Sequence, residues 1–135
     1  MPLFVWDESY SVKIRQFDEQ HKKLIDMVNR LYEAMRNGEG SKVIADVLAS
    51  LAAYTQTHFS NEERVMKLHG YPGYVSHKAI HDKLVAQVLD YQKKAETEAN
   101  TLSPGVMVFL KDWLVQHIQG VDMKYGPFLS GKGVV

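Results

Sequence analysis

The sequence predicts an all-α fold: an up-down-up-down antiparallel four-helix bundle with an extended N-terminal arm and a short C-terminal helix or turn. Two observations carry this expectation. Four stretches repeat apolar residues every three or four positions, and the links between them are short and rich in Gly, Pro, Asn or Ser, which favours antiparallel neighbours. No internal repeat or low-complexity segment competes with that reading. At 135 residues one domain is expected over 1–135, divided into an arm (1–17), a bundle (18–122) and a C-terminal turn and tail (123–135).

The arm contains Trp6 and Tyr10 and a brief alternation of Val12 and Ile14 ahead of Phe17, with no helical period. A first helix is expected from Asp18, a good N-cap, through Leu24, Ile25, Val28, Leu31, Tyr32 and Met35, ending at Asn37-Gly38-Glu39-Gly40. Ser41 is read as the cap of a second helix carrying Ile44, Val47, Leu48, Leu51, Tyr54, Thr55, Phe59 and Met66. This helix would run about 28 residues, or roughly 42 Å at 1.5 Å per residue. After Gly70-Tyr71-Pro72-Gly73 a third pattern runs from near Ser76 through Ile80, Leu84, Val88, Tyr91 and Ala95, and fades over residues 96–100. Ser103-Pro104 reads as an N-cap followed by proline at the first helical position, opening a fourth helix through Val108, Phe109, Trp113, Leu114 and Ile118.

Composition narrows the function. Sixteen basic residues balance sixteen acidic ones, so no net basic field draws the chain to nucleic acid or anionic lipid. With no cysteine, disulfides, thiolate metal sites, Fe–S clusters and thiol nucleophiles are excluded together, and any metal must be held by nitrogen and oxygen. The N-terminus has no basic stretch ahead of an apolar run, and no segment of about 18 apolar residues occurs, so a cytoplasmic protein without membrane insertion is expected. No spare apolar stripe demands a second copy, which makes a monomer the expectation.

What stands out is six histidines and where they fall. His58 and Glu62 lie four apart on the second helix and His77 and His81 four apart on the third, a spacing that places side chains on one face about 5–6 Å apart. Both pairs continue the apolar stripe. His117 follows Trp113 and Leu114 on the inward face of the fourth helix, and His21 precedes Leu24 and Ile25 on the first. Asp122 comes five residues after His117, where Gly120 and the helix end let the chain turn its side chain toward the same centre. His69, beside Gly70 at a helix C-terminus, reads as structural, favoured there by the helix dipole.

A single histidine on an apolar face is ordinarily a core residue satisfied by a hydrogen bond. Five of them with two inward carboxylates are different, because burying Glu62 and Asp122 as uncompensated anions costs several kcal/mol each. Metal ions supply the missing partners. Seven ligands exceed one tetrahedral zinc, there is no His-Glu-x-x-His, and the Glu-x-x-His of carboxylate di-iron proteins is absent. If both carboxylates and one hydroxide bridge two six-coordinate ions, the five imidazoles fill all but one of the remaining positions. Octahedral ions with carboxylate bridges and one open position point to iron, and an open position on a redox-active pair is where dioxygen could bind.

His21, His58-x-x-x-Glu62, His77-x-x-x-His81 and His117-x-x-x-x-Asp122, together with Trp6-Asp7 and Phe17-Asp18-Glu19-Gln20-His21, resemble the hemerythrin family in its single-domain bacterial form. The resemblance spans essentially the whole chain and fills all seven ligand positions. It implies two iron ions (Fe2+/Fe3+) bridged by Glu62, Asp122 and a hydroxo or oxo group, with His77, His81 and His117 on one ion and His21 and His58 on the other. It further implies dioxygen as the ligand, bound end-on at the iron with fewer histidines. By helical spacing, Ile25, Phe59, Trp113, Leu114 and Ile118 are the candidate wall of an apolar dioxygen pocket.

The expected function is reversible dioxygen binding for storage or for delivery to oxygen-requiring enzymes, with no catalysis by the chain itself. An oxygen- or redox-sensing domain and a di-iron enzyme reducing peroxide or nitric oxide are the alternatives.

Overall fold

The first long helix, α1 (Arg15–Arg36), buries Phe17, His21, Leu24, Ile25, Val28 and Leu31 along one side in the computed structural model, which describes residues 4–134. Residues 1–3 of the expected arm and residue 135 of the tail lie outside the described residues. α2 (Gly40–Leu68) buries Ile44, Val47, Leu48, Leu51 and Ala52 in its first half and His58, Phe59, Glu62, Val65 and Met66 in its second. One apolar stripe therefore passes continuously into the polar centre.

The next helical run, Tyr74–Leu114, contains one non-helical residue, Glu98 (φ −124°, ψ 23°), which divides it into α3 (74–97) and α4 (99–114). Tyr91 and Phe109 meet with ring centroids 5.2 Å apart, and His81 and His117 with ring nitrogens 3.2 Å apart. Both pairs straddle Glu98, so α3 and α4 run antiparallel. Beyond α4 the helix widens into a π-helical stretch, Val115–Val121, tightens to a 3₁₀ turn, Asp122–Lys124, and resumes as α5 (Tyr125–Gly131). No strand occurs among the described residues, and none of their helices is long and apolar enough to cross a membrane.

Three boundaries differ from the sequence expectation. α1 begins at Arg15, with Ile14 as a cap that makes no side-chain bond. Asp18, expected as the N-cap, lies inside the helix and accepts from Ser11 Oγ (2.7 Å) and the Val12 amide (2.8 Å), tying the arm to the helix. The arm itself is not wholly extended, since Glu8–Tyr10 form a 3₁₀ turn capped by Asp7. α2 begins at Gly40 after Glu39, so Ser41 is helical and not the cap. α4 begins well before Ser103-Pro104, leaving Pro104 inside the helix. Ser103 is used for close packing: a Cβ on Gly40 would lie 3.1 Å from its Oγ.

The buried apolar residues form two clusters. The larger, with Leu24, Val28, Leu48, Phe59, Leu110 and Ile118, fills the bundle toward the 37–40 end. The smaller joins Val12, Ile14 and Phe17 of the arm and α1 to Val65 and Met66 of α2 and Tyr125 and Leu129 of α5. Gly126 permits this closure, because a Cβ there would lie 2.6 Å from the Val12 carbonyl oxygen. The polar centre touches both clusters: His81 stacks on Phe59 of the first, and His58 and His77 meet Phe17 and Tyr125 of the second.

Candidate metal centre

Seven of the ten buried polar residues among those described are His21, His58, Glu62, His77, His81, His117 and Asp122. Their ligand atoms gather in two overlapping groups, each with all atoms within 4.8 Å of one another: Glu62, His77, His81, His117 and Asp122, and His21, His58, Glu62 and Asp122. The structure thus brings together all seven residues singled out in the sequence. His69 stays apart as the C-cap of α2, its amide donating to the Val65 carbonyl at 3.1 Å.

Regular helix geometry delivers His58 with Glu62 and His77 with His81. The five-residue spacing of His117 and Asp122 is delivered by the π-helical stretch, in which the Asp122 amide donates back to the His117 carbonyl. Such i→i+5 turns within helices recur at functional sites. At 100° per residue a regular α-helix would leave these two side chains about 140° apart.

The two oxygens of Asp122 face different histidines. Oδ1 lies 2.9 Å from His77 Nε2 and 3.0 Å from His117 Nε2, while Oδ2 lies 3.0 Å from His21 Nε2. Glu62 Oε1 lies 3.3 Å from His58 Nε2 and 3.4 Å from His81 Nε2, and Oε2 lies 3.5 Å from His21 Nε2. All of these side chains are at most 3% exposed.

The donor set fits metal ions better than it fits protons. His81 Nδ1 donates to Glu63 Oε2 (2.8 Å) and His58 Nδ1 to Gln20 Oε1 (2.5 Å), so in the neutral ring the Nε2 of each turns a lone pair inward. There His81 Nε2 meets His117 Nε2 and Glu62 Oε1, a crowd of electron-rich atoms. His21 Nε2, His58 Nε2, His77 Nε2, Glu62 Oε1 and both Asp122 oxygens lack well-directed hydrogen bonds although fully buried. A cation between them satisfies every one.

Titration follows the same demand for positive charge. Burial opposes a charge on His21, but hydrogen bonds to Asp122 and Glu62 and their charges outweigh it and raise its pKa to about 10. At His58 burial prevails and the pKa falls to about 4. Burial pushes Glu62 and Asp122 upward, and the Asp122 charge adds to this at Glu62, yet the facing imidazoles hold both below the usual carboxylate range.

Residues 12–129 match the family model described as the hemerythrin HHE cation binding domain. The chain belongs to the hemerythrin family. It is 39% identical over 131 residues to a bacteriohemerythrin of Methylococcus capsulatus, covering 96% of this chain and 99% of that one. To a hemerythrin-like protein of Naegleria gruberi it is 34% identical over 122 residues, covering 90% of each. A crystal structure of wild-type hemerythrin matches with a TM-score of 0.85 at 38% identity, covering 95% of this chain and 98% of that one.

Among the residues expected to wall a pocket in this hemerythrin fold, Phe59 stacks on His81 with ring centroids 3.8 Å apart and planes 4° apart, and Trp113 lies 6.2 Å from His117. Ile25, Leu114 and Ile118 are buried in the same apolar cluster. A groove of about 290 Å³ reaches His117 between α3 and α4, lined by Ile80, Leu84, Phe109 and Trp113 among others; Phe59, Ile25, Leu114 and Ile118 are not part of its lining.

Three polar neighbours of the centre escape helix-spacing arguments. Gln20 and Glu63 each sit beside a ligand-type residue in sequence and contact a histidine on another helix. Tyr125, placed in the expected tail, is fully buried, donates to Glu62 Oε2 and stacks on His77 with centroids 5.5 Å apart. Its signal was the Tyr-Gly-Pro sequence three residues after Asp122, where a large aromatic precedes a glycine that allows close backbone approach.

Proposed function

We propose that the chain binds dioxygen reversibly at a non-heme di-iron centre, for storage or for delivery to oxygen-requiring enzymes. His77, His81 and His117 would hold one ion and His21 and His58 the other, with Glu62 and Asp122 shared. The observation that carries this reading is the placement of Asp122, whose two carboxylate oxygens face histidines of different groups. A single ion would not need both oxygens turned to opposite sides.

A bound iron pair would supply the electrons that reversible dioxygen binding requires. The protein's part is positional. Gln20 and Glu63 orient His58 and His81, and the two carboxylates would balance the ions' charge with few protein anions, which favours return of the electrons over oxidation of a substrate. Phe59 against His81 and Trp113 near His117 keep the surroundings apolar, which disfavours entry of water and anions.

Anaerobic reduction of the purified protein, metal analysis and admission of air form the test. Two irons per chain and a visible charge-transfer band that appears with air and disappears on deoxygenation are expected. Rapid irreversible bleaching would favour the enzyme or sensor alternatives, and one zinc per chain would overturn the reading.

A further inference from the structure

The five imidazoles of the centre differ in what stands behind them. His58 Nδ1 is held by the neutral amide oxygen of Gln20, and His81 Nδ1 by a carboxylate oxygen of Glu63. Nδ1 of His21 and of His117 is buried without a hydrogen-bond partner. One of the two ligand groups therefore has an anion behind it and the other has a dipole.

The Glu63 side chain is 17% exposed, so its charge is only partly screened. Lys78 lines the same groove and feels the Glu63 charge, but its ammonium is bound by both oxygens of Asp82, at 2.9 and 3.1 Å, so Asp82 takes most of its charge. A carboxylate accepting from the far nitrogen of an imidazole makes the near nitrogen a stronger donor and favours the higher charge on whatever that nitrogen binds.

We propose that Glu63 is a positioning residue that makes the two metal positions electronically unequal: acting through His81, it renders the three-histidine ion the first to lose an electron in stepwise oxidation. This rests on the two-iron reading above. Each step takes one electron from one ferrous ion, leaves it ferric and passes the electron to an electrode through a soluble mediator. The proton on His81 Nδ1 stays in place and no bond to the protein changes. Gln20 orients His58 without adding charge, so the second ion follows at higher potential.

The test is mediated spectroelectrochemistry on iron-loaded wild type, Glu63→Gln, Gln20→Glu and the double exchange, each after its iron content is measured. Wild type should show two one-electron steps. Glu63→Gln should retain two irons and shift the lower step positive, changing the ferrous-to-ferric ratio about tenfold at a given potential, ~59 mV for one electron. Gln20→Glu, which leaves Glu63 intact, should shift the upper step negative and draw the steps together. The double exchange should restore the separation with an altered electron paramagnetic resonance signal in the half-oxidised state, because the ferric ion has changed position. Unmoved potentials in Glu63→Gln and Gln20→Glu with iron retained would overturn the proposal, as would loss of iron from Glu63→Gln with the Gln20→Glu potentials unmoved, which marks a purely structural role. Wild type holding fewer than two irons would instead overturn the di-iron reading, and the proposal with it, before any titration.

Discussion

The phenol of Tyr125 on α5 donates a hydrogen bond to Oε2 of Glu62 on α2, across 63 residues of sequence and with both side chains wholly buried. Tyr125→Phe keeps the ring that packs on His77 and Phe17 and removes only the donor. Leaving a buried acceptor unpaired costs about 1–3 kcal/mol. Urea denaturation in the presence of chelator should show that loss, and an unchanged midpoint would mean the bond adds no stability.

Iron content should follow the carboxylates. Glu62→Ala and Asp122→Ala are each expected to lose most of the iron, because each removes oxygens that face more than one histidine. His69→Ala should leave metal content and visible spectrum unchanged, since His69 lies outside both ligand groups. Full iron occupancy in both carboxylate variants would contradict their shared role.

The pH profile of the metal-free protein should be peaked. His58 has a pKa lowered from 6.5 to about 4, so the unfolded chain binds its proton first and stability falls as pH drops from 6.5 toward 4. His21 has a pKa raised from 6.5 to about 10, so its stabilisation is complete below 6.5 and is lost as pH rises toward 10. The acid arm should slope by about 1.4 kcal/mol per pH unit and the alkaline arm at least as steeply, because the hydrogen bond and charge of Glu62 outweigh burial and raise the pKa of His81 as well, giving a maximum near pH 6.5. Urea midpoints across pH, measured with and without iron, check this. The alkaline arm should vanish with iron bound, because the coordinated nitrogens of His21 and His81 have no proton to lose.

Much of this centre was legible because helix geometry makes four-residue spacing equivalent to a shared face. His58 with Glu62 and His77 with His81 needed no more than that, and the five-residue step to Asp122 was recoverable only by invoking a distorted helix end, which the π-helical stretch provides. The less legible residues act through tertiary contacts. Asp18 carries a strong capping signal, but its carboxylate is claimed by Ser11 and Val12 of the arm. Ser103 carries another, overridden by its packing against Gly40. Gln20 and Glu63 lie just off the ligand stripe, so only the neighbouring helix reveals what they do.

Gly126→Ala probes the closure of the arm over α5. The added methyl would meet the Val12 carbonyl oxygen at 2.6 Å, and a backbone atom yields less readily than a side-chain end. The arm should be displaced at a cost of about 1–3 kcal/mol. Trypsin cleavage after Lys13 or Arg15 should become faster than in wild type, and equal rates would show that the arm accommodates the methyl.

The break at Glu98 and the short link between α1 and α2, residues 37–39, make the bundle a pair of helical hairpins. His21, His58 and Glu62 lie in the first; His77, His81, His117 and Asp122 lie in the second and its continuation. Contacts within each hairpin are local in sequence and close rapidly, whereas docking one hairpin on the other closes the longer loops. Ions held by Glu62 from one and Asp122 from the other would act as a cross-link between these units, so their binding free energy would add to the docking step and leave helix formation within each hairpin nearly untouched.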